Sequence, residues 1–165
     1  MMQRTVADWV NELDLIPHPE GGYYKEIIQA ERHIAQTTRP AYTSIYFLLT
    51  DDNISHFHRI DTDEIWYYHY GQTLTVHMIH KNGEYEAVHI GPNIAQGEVL
   101  QYVVPAGTIF ASSIKDESGY ALVGCMCQPG FMFEHFEMFD QATLKADYPH
   151  LSQVIESYAV ASLNE

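Results

Sequence analysis

The stretch with the most chemical potential is SHFHRIDTDEIWYYHYG, residues 55–71. His56 and His58 stand two apart, a spacing that puts both imidazoles on one face of a strand. Glu64 follows, and Gly71 comes seven residues later. Two histidines and a carboxylate converging inside a barrel are suitable ligands for a divalent metal. The same groups without metal form an acid–base pair, because a carboxylate orients a histidine and tunes it near neutral pH. Trp66 and Tyr68 share the strand face of Glu64, as core or as a surface for a ligand to stack on. Two cysteines, Cys125 and Cys127, lie one residue apart. An i, i+2 disulfide is strained, and two thiols are too few for structural zinc, so they read as buried free thiols on a core strand.

These groups need elements to hold them. Thr5 and Asp8 form a helix start, followed by Val6, Trp9, Val10 and Leu13 at helical spacing, with Pro17 and Pro19 as the stop. From Gly22 the texture changes to short runs rich in Tyr, Ile, Val and Phe. Strands are expected over 23–29, 43–49, 54–60, 64–70, 74–80, 85–90, 99–104, 108–112, 120–127 and 134–139. Asn82-Gly83 predicts a type I′ hairpin turn. Two short helical patterns follow Asp140. About ten strands with helices only at the ends predict an all-β fold, a double-sheet jelly roll or closed barrel. No linker or repeat divides residues 1–165, which read as one domain with its core at about 13–149.

The bulk properties exclude several classes. A formal net charge of −14, with Lys and Arg totalling 8, opposes binding to nucleic acid. No apolar run approaches the ~20 residues that span a bilayer, and the first residues lack a secretory h-region. A cytoplasmic protein with no membrane partner is expected.

IPHPEGGYYKEI, residues 16–27, packs prolines, glycines, His18 and Glu20 into one corner. It has no phosphate-loop pattern, and its prolines remove amide donors. It reads as a bend from the helix onto the first strand, with Glu20, Tyr23 and Tyr24 near the barrel rim or an intersubunit edge.

Residues 56–71 resemble the first motif of the cupins, with His56-x-His58, Glu64 and Gly71, and Pro105-Ala-Gly107 resembles part of the second. Three departures stand out. Thr50 replaces the leading Gly, five residues rather than three or four separate His58 from Glu64, and Phe110 occupies the third metal-ligand position. Taking His58 as the first histidine corrects the spacing but leaves Ile60 in place of the second. LIPHPEGGYYKE, TSIYFLL, HRIDTDEIWYYHYG, VVPAG and PGFMFEHFEMF together resemble the cupin-5 group, domain-of-unknown-function 985. The resemblance implies an RmlC-like jelly roll with a cavity inside the barrel and a homodimer. His58, Arg59, Asp63, Glu64 and Trp66 fall on its H-R-x-x-x-D-E-x-W core.

The expectation is therefore a small-molecule cupin. His58 would act as acid–base residue and Glu64 as its orienting or second acid–base group. Tyr24, Arg59, Trp66, Tyr68, Gln101 and Glu137 complete the candidate ligand-binding set. By analogy with metal-free sugar epimerases of this fold, the activity would be isomerase or epimerase chemistry on a sugar-like or carbonyl metabolite. The alternatives are a non-catalytic metabolite-binding module and a degenerate metal cupin using His56, His58 and Glu64. No cofactor is expected, with a divalent metal as the option those three residues leave open. Edge strand YYKEIIQ is the expected dimer contact.

Overall fold

The computed structural model describes residues 4–115 and 118–163. Helix α1 (Val6–Glu12) starts where the capping pattern requires: the Thr5 hydroxyl accepts from the Asp8 amide, and the Asp8 carboxylate accepts from the Thr5 amide. It stops before the prolines, because Asp14 turns left-handed at φ 52°.

Eleven strands follow among the described residues: β1 (Ile16–Pro17), β2 (Tyr23–Gln29), β3 (Thr43–Thr50), β4 (Ser55–Arg59), β5 (Asp63–Gly71), β6 (Leu74–Ile79), β7 (Tyr85–Ile90), β8 (Gln101–Val104), β9 (Ile109–Ile114), β10 (Tyr120–Gln128) and β11 (Glu137–Met138). They form two antiparallel sheets, ordered β1-β2-β3-β10-β5-β8 and β11-β4-β9-β6-β7. Helices α2 (Gln141–Asp147) and α3 (Ser152–Tyr158) close the chain. No helix among the described residues is long and apolar enough to cross a membrane.

The alternation of side chains explains the layers. Phe47 and Leu49 of β3, Val123, Cys125 and Cys127 of β10, Trp66 of β5 and Phe110 of β9 meet between the sheets. Leu48 and Leu122 point the other way, where Trp9 and Val10 of α1 cover them. On the second sheet's outer face, Phe57, Ile79, Ile109 and Ala111 are sealed by Leu144 of α2 and Ile155 of α3. Central strands therefore read as continuous apolar runs, since both faces are buried.

Two local expectations need correction. The β6–β7 connection is not a type I′ turn, because Gly83 is left-handed (φ 82°) and Asn82 is not. The Gly83 amide donates to His80 O and the His80 amide to Glu84 O, giving a type I turn closed by a left-handed glycine. The expected strand over 134–139 shrinks to β11. A 3-10 turn at Phe133–His135 comes first and brings aromatic rings together over one end of the barrel.

Candidate functional site

The barrel interior opens into a cavity of about 310 Å³, lined on one side by Glu20, His58 and Glu64 and on another by Tyr24, Phe131 and Phe133. His18, Glu26, Cys125 and Cys127 complete much of the wall.

His58 arrives from β4, whose register against β9 shifts between Ser55 and His58. Its ring is buried against Phe110, with centroids 4.1 Å apart. Nδ1 lies 2.7 Å from the backbone carbonyl of His56. A carbonyl only accepts, so Nδ1 carries a proton and Nε2 is the atom that changes state. Nε2 faces the Glu20 carboxylate at 3.0 Å. Burial alone would lower the His58 pKa, but the charge and hydrogen bond of Glu20 outweigh it and the net shift is upward. Glu20 mirrors this: burial pushes its carboxyl up, and His58 pulls it further down. The pair is an imidazolium–carboxylate dyad.

Glu20 reaches the cavity through the 16–27 corner. His18 N donates to Gly22 O and Gly21 N to His18 O, forming a tight turn. Gly21 (φ 112°) passes so close to β4 that a Cβ would sit 1.9 Å from Ile54 O. The Glu20 carbonyl is clamped by the His56 amide at 2.7 Å and the His56 ring at 2.8 Å. His18 Nδ1 accepts from the Glu20 amide at 3.2 Å. It is therefore unprotonated, in keeping with a pKa lowered mainly by burial, and its 3.6 Å approach to Glu20 Oε2 is not an ion pair. Ser55 and Ser112, paired across β4 and β9, keep buried hydroxyls without a direct partner. Ser55 lies near enough to Glu20 to favour its ionised form.

Glu64 is positioned by β5. The Trp66 indole donates to Oε2 at 3.2 Å, and the Cys127 thiol approaches Oε1 at 3.9 Å. Burial, then the charge of Glu20, raise its pKa to about 7. The cavity thus combines an ionised dyad with a carboxyl poised at neutral pH. Burial also holds both cysteine thiols protonated.

The structure brings together His58, Glu64 and Tyr24 on the cavity wall, with Trp66 directly behind Glu64. It sets the other sequence candidates elsewhere. Arg59 pairs with Glu137 at 2.6 Å on the exposed face, because the residue after His58 points outward and β11 lies beside it there. Tyr68 donates to Gly71 O beyond the cavity. Gln101 is exposed, opposite Tyr67 across β5 and β8. His56 turns to the Glu20 carbonyl, so the conditional metal set of His56, His58 and Glu64 does not line the cavity together. Glu20 and His18 carried no recognised ligand spacing; the signal available was a glutamate wedged between Pro19 and two glycines.

A family model described as Cupin superfamily (DUF985) matches residues 7–139. The chain belongs to this cupin family. The uncharacterized protein YML079W of Saccharomyces cerevisiae is 31% identical over 151 residues, covering 81% of this chain and 72% of that protein. A hypothetical protein from Leishmania major superposes with TM-score 0.90 at 40% identity, covering 95% of this chain and 99% of that one. Protein SO0799 from Shewanella oneidensis gives 0.93 at 40% identity, covering 97% and 100%. Bacillus subtilis oxalate decarboxylase shares the fold alone, with TM-score 0.54 at 16% identity over 86% of this chain and 36% of that one.

Cupins can hold a metal on three histidines and a glutamate, and the residues of this cupin do not fit that cage. Phe110 fills the third histidine position and packs on His58. His58 Nε2 is engaged by Glu20. Among the described residues no group of three or more His, Cys, Asp or Glu side chains is arranged to hold a metal ion.

Proposed function

We propose that this cupin is a metal-independent isomerase or epimerase of a small sugar-like or carbonyl metabolite. The observation that carries the reading is the pairing, in one cavity, of the Glu20–His58 dyad with a Glu64 carboxyl whose pKa lies near 7. Removing a proton next to a carbonyl needs a base near neutral pH and a donor for the developing enolate oxygen. Glu64 as carboxylate takes the carbon-bound proton. The dyad gives the enolate oxygen the Nε2 proton that it otherwise holds against Glu20, leaving a neutral imidazole. Return of the proton to the former carbonyl carbon, with the hydroxyl on the carbon that lost it passing its own proton to the dyad, gives the isomer. Return to the opposite face of the original carbon after the ligand turns over, with the enol proton going back to the dyad, gives the epimer. No oxidant or reductant is consumed. The buried thiols, held protonated, serve as wall rather than nucleophiles.

The test is proton exchange in heavy water across free aldoses and ketoses. Deuterium at the carbon next to the carbonyl, lost in Glu64→Gln, is the expected result. Saturable binding without exchange would make the protein a metabolite-binding module instead.

We also infer a cytoplasmic homodimer. Both cysteines are free, as a reducing compartment favours. Among the described residues β1 pairs only with Tyr23 and Tyr24 and no strand covers β2 beyond them, which leaves an edge carrying exposed Ile27 and Ile28. A symmetric partner strand would cover it. Light scattering should give twice the chain mass, and a monomer mass would refute this.

A further inference from the structure

The side chains that line the cavity carry a charge pattern that selects among ligands. Three are carboxylates, Glu20, Glu26 and Glu64, and none is Lys or Arg. The dyad's imidazolium is matched by Glu20, so it leaves no net positive charge. His18 is neutral, with its Nδ1 lone pair used by the Glu20 amide. Arg39 lies beyond the wall and is held bidentately by Asp61, at 2.8 and 2.7 Å. Its charge is therefore already satisfied. The polar atoms facing the space are mainly acceptors, and one side of the cavity is aromatic. The volume of about 310 Å³ sits at the lower bound of ligand cavities, room for about ten waters.

We infer that the cavity takes an unphosphorylated, sugar-sized polyol, neutral or amino-bearing, and rejects phosphorylated, nucleotide-linked and carboxylate ligands. Hydroxyl or amine groups supply further donors to Glu20, Glu26 and Glu64, each of which has acceptor capacity to spare. The apolar face of a ring lies on Tyr24, Phe131 and Phe133. An ammonium is drawn to the same carboxylates and rings. A phosphate or carboxylate would meet exposed Glu26 at the mouth and buried Glu64 within, with no unpaired cation to receive it. A nucleotide diphosphate adds bulk that the cavity cannot enclose. This assignment rests on the proposed sugar-like substrate and narrows it.

The Trp66 indole N–H donates to Glu64 at the cavity wall and provides a direct reporter. The chain holds only two tryptophans, so a Trp9→Phe variant assigns its signal. The ¹⁵N-labelled full chain is titrated with free pentoses and hexoses, their amino analogues, hexose 6-phosphates and hexuronates. At least one free sugar should move the Trp66 signal saturably. Its phosphate and uronate should bind roughly tenfold or more weakly, and its amino analogue at least as well. Glu26→Lys, at the open side of the wall, should narrow the gap between phosphate and parent. Equal or tighter binding of a phosphate or uronate would overturn the assignment, as would silence from every free sugar at tens of millimolar. Proton exchange separates the two readings. A free sugar that binds without exchanging keeps this inference and removes the isomerase, whereas exchange on a phosphorylated sugar does the reverse.

Discussion

Glu64→Gln changes one atom of the cavity wall and removes its titration. The Glu64 carboxyl is raised from 4.5 to about 7 by burial and by the charge of Glu20. Below pH 4.5 the folded and unfolded chains are both protonated at this position, and its burial is free of charge. Between 4.5 and 7 the unfolded chain has released the proton while the folded chain keeps it, so stability falls as pH rises. Above 7 both are ionised, and the penalty stays constant. A shift of about 2.5 units at 1.36 kcal/mol each amounts to about 3 kcal/mol. Glutamine offers the Trp66 indole the same acceptor without a charge. The stability difference between variant and parent should therefore grow in the variant's favour by about 2–3 kcal/mol from pH 5 to pH 8, and then level off. Urea unfolding at half-unit pH intervals measures this directly. In melting temperature the same change is about 4–12 °C for a chain of this size. If the two stability curves run parallel across that range, Glu64 does not titrate there and the proposal that it is the neutral-pH base fails.

Three further outcomes follow from the geometry. His58→Ala strands the buried Glu20 carboxylate and should cost about 3–5 kcal/mol, whereas Glu20→Gln/His58→Gln should cost much less than the sum of its single changes; additive values would mean the two do not act as a pair. Gly21→Ala forces a side chain into the Ile54 carbonyl at a left-handed φ, so thermal melting should show a loss of more than about 1 kcal/mol, together with weaker ligand binding as Glu20 is displaced. Arg59→Ala breaks an exposed ion pair with Glu137 and a cation–π contact with Phe139, and should change stability by no more than about 1–2 kcal/mol and leave sugar binding unaltered.

The parts of the site that were legible in the sequence lie on strands. His58, Glu64 and Trp66 sit where side-chain parity is fixed by the period of two, so the motif and the strand together told which way they face. The same parity argues against Arg59, which follows His58 and must point outward, and Gln101, which stands beside inward-facing Tyr102. His56 was misleading because the shifted register of β4 and the turn at Glu20 recruit its ring for the backbone. Glu20 was hidden for a different reason. It belongs to a turn, where direction is set by the dihedrals of Gly21 and Gly22 and by a contact with β4 that is more than thirty residues away in the chain. The fold was more legible, since helix caps and strand alternation are local. Its least local pieces, the two-residue strands β1 and β11, were the least visible.

Residue 56 joins the two halves of the dyad through its peptide groups. Its carbonyl fixes the tautomer of His58, and its amide fixes the carbonyl of Glu20. The imidazole adds a second bond to that carbonyl, but the two essential connections would survive almost any side chain there. The alignment of the dyad is thus encoded in a stretch of main chain rather than in a residue type. Relatives can vary at this position while keeping the same geometry of the dyad. Grafting His58 and the glutamate onto another barrel would reproduce the letters of the site without the instrument that aims them.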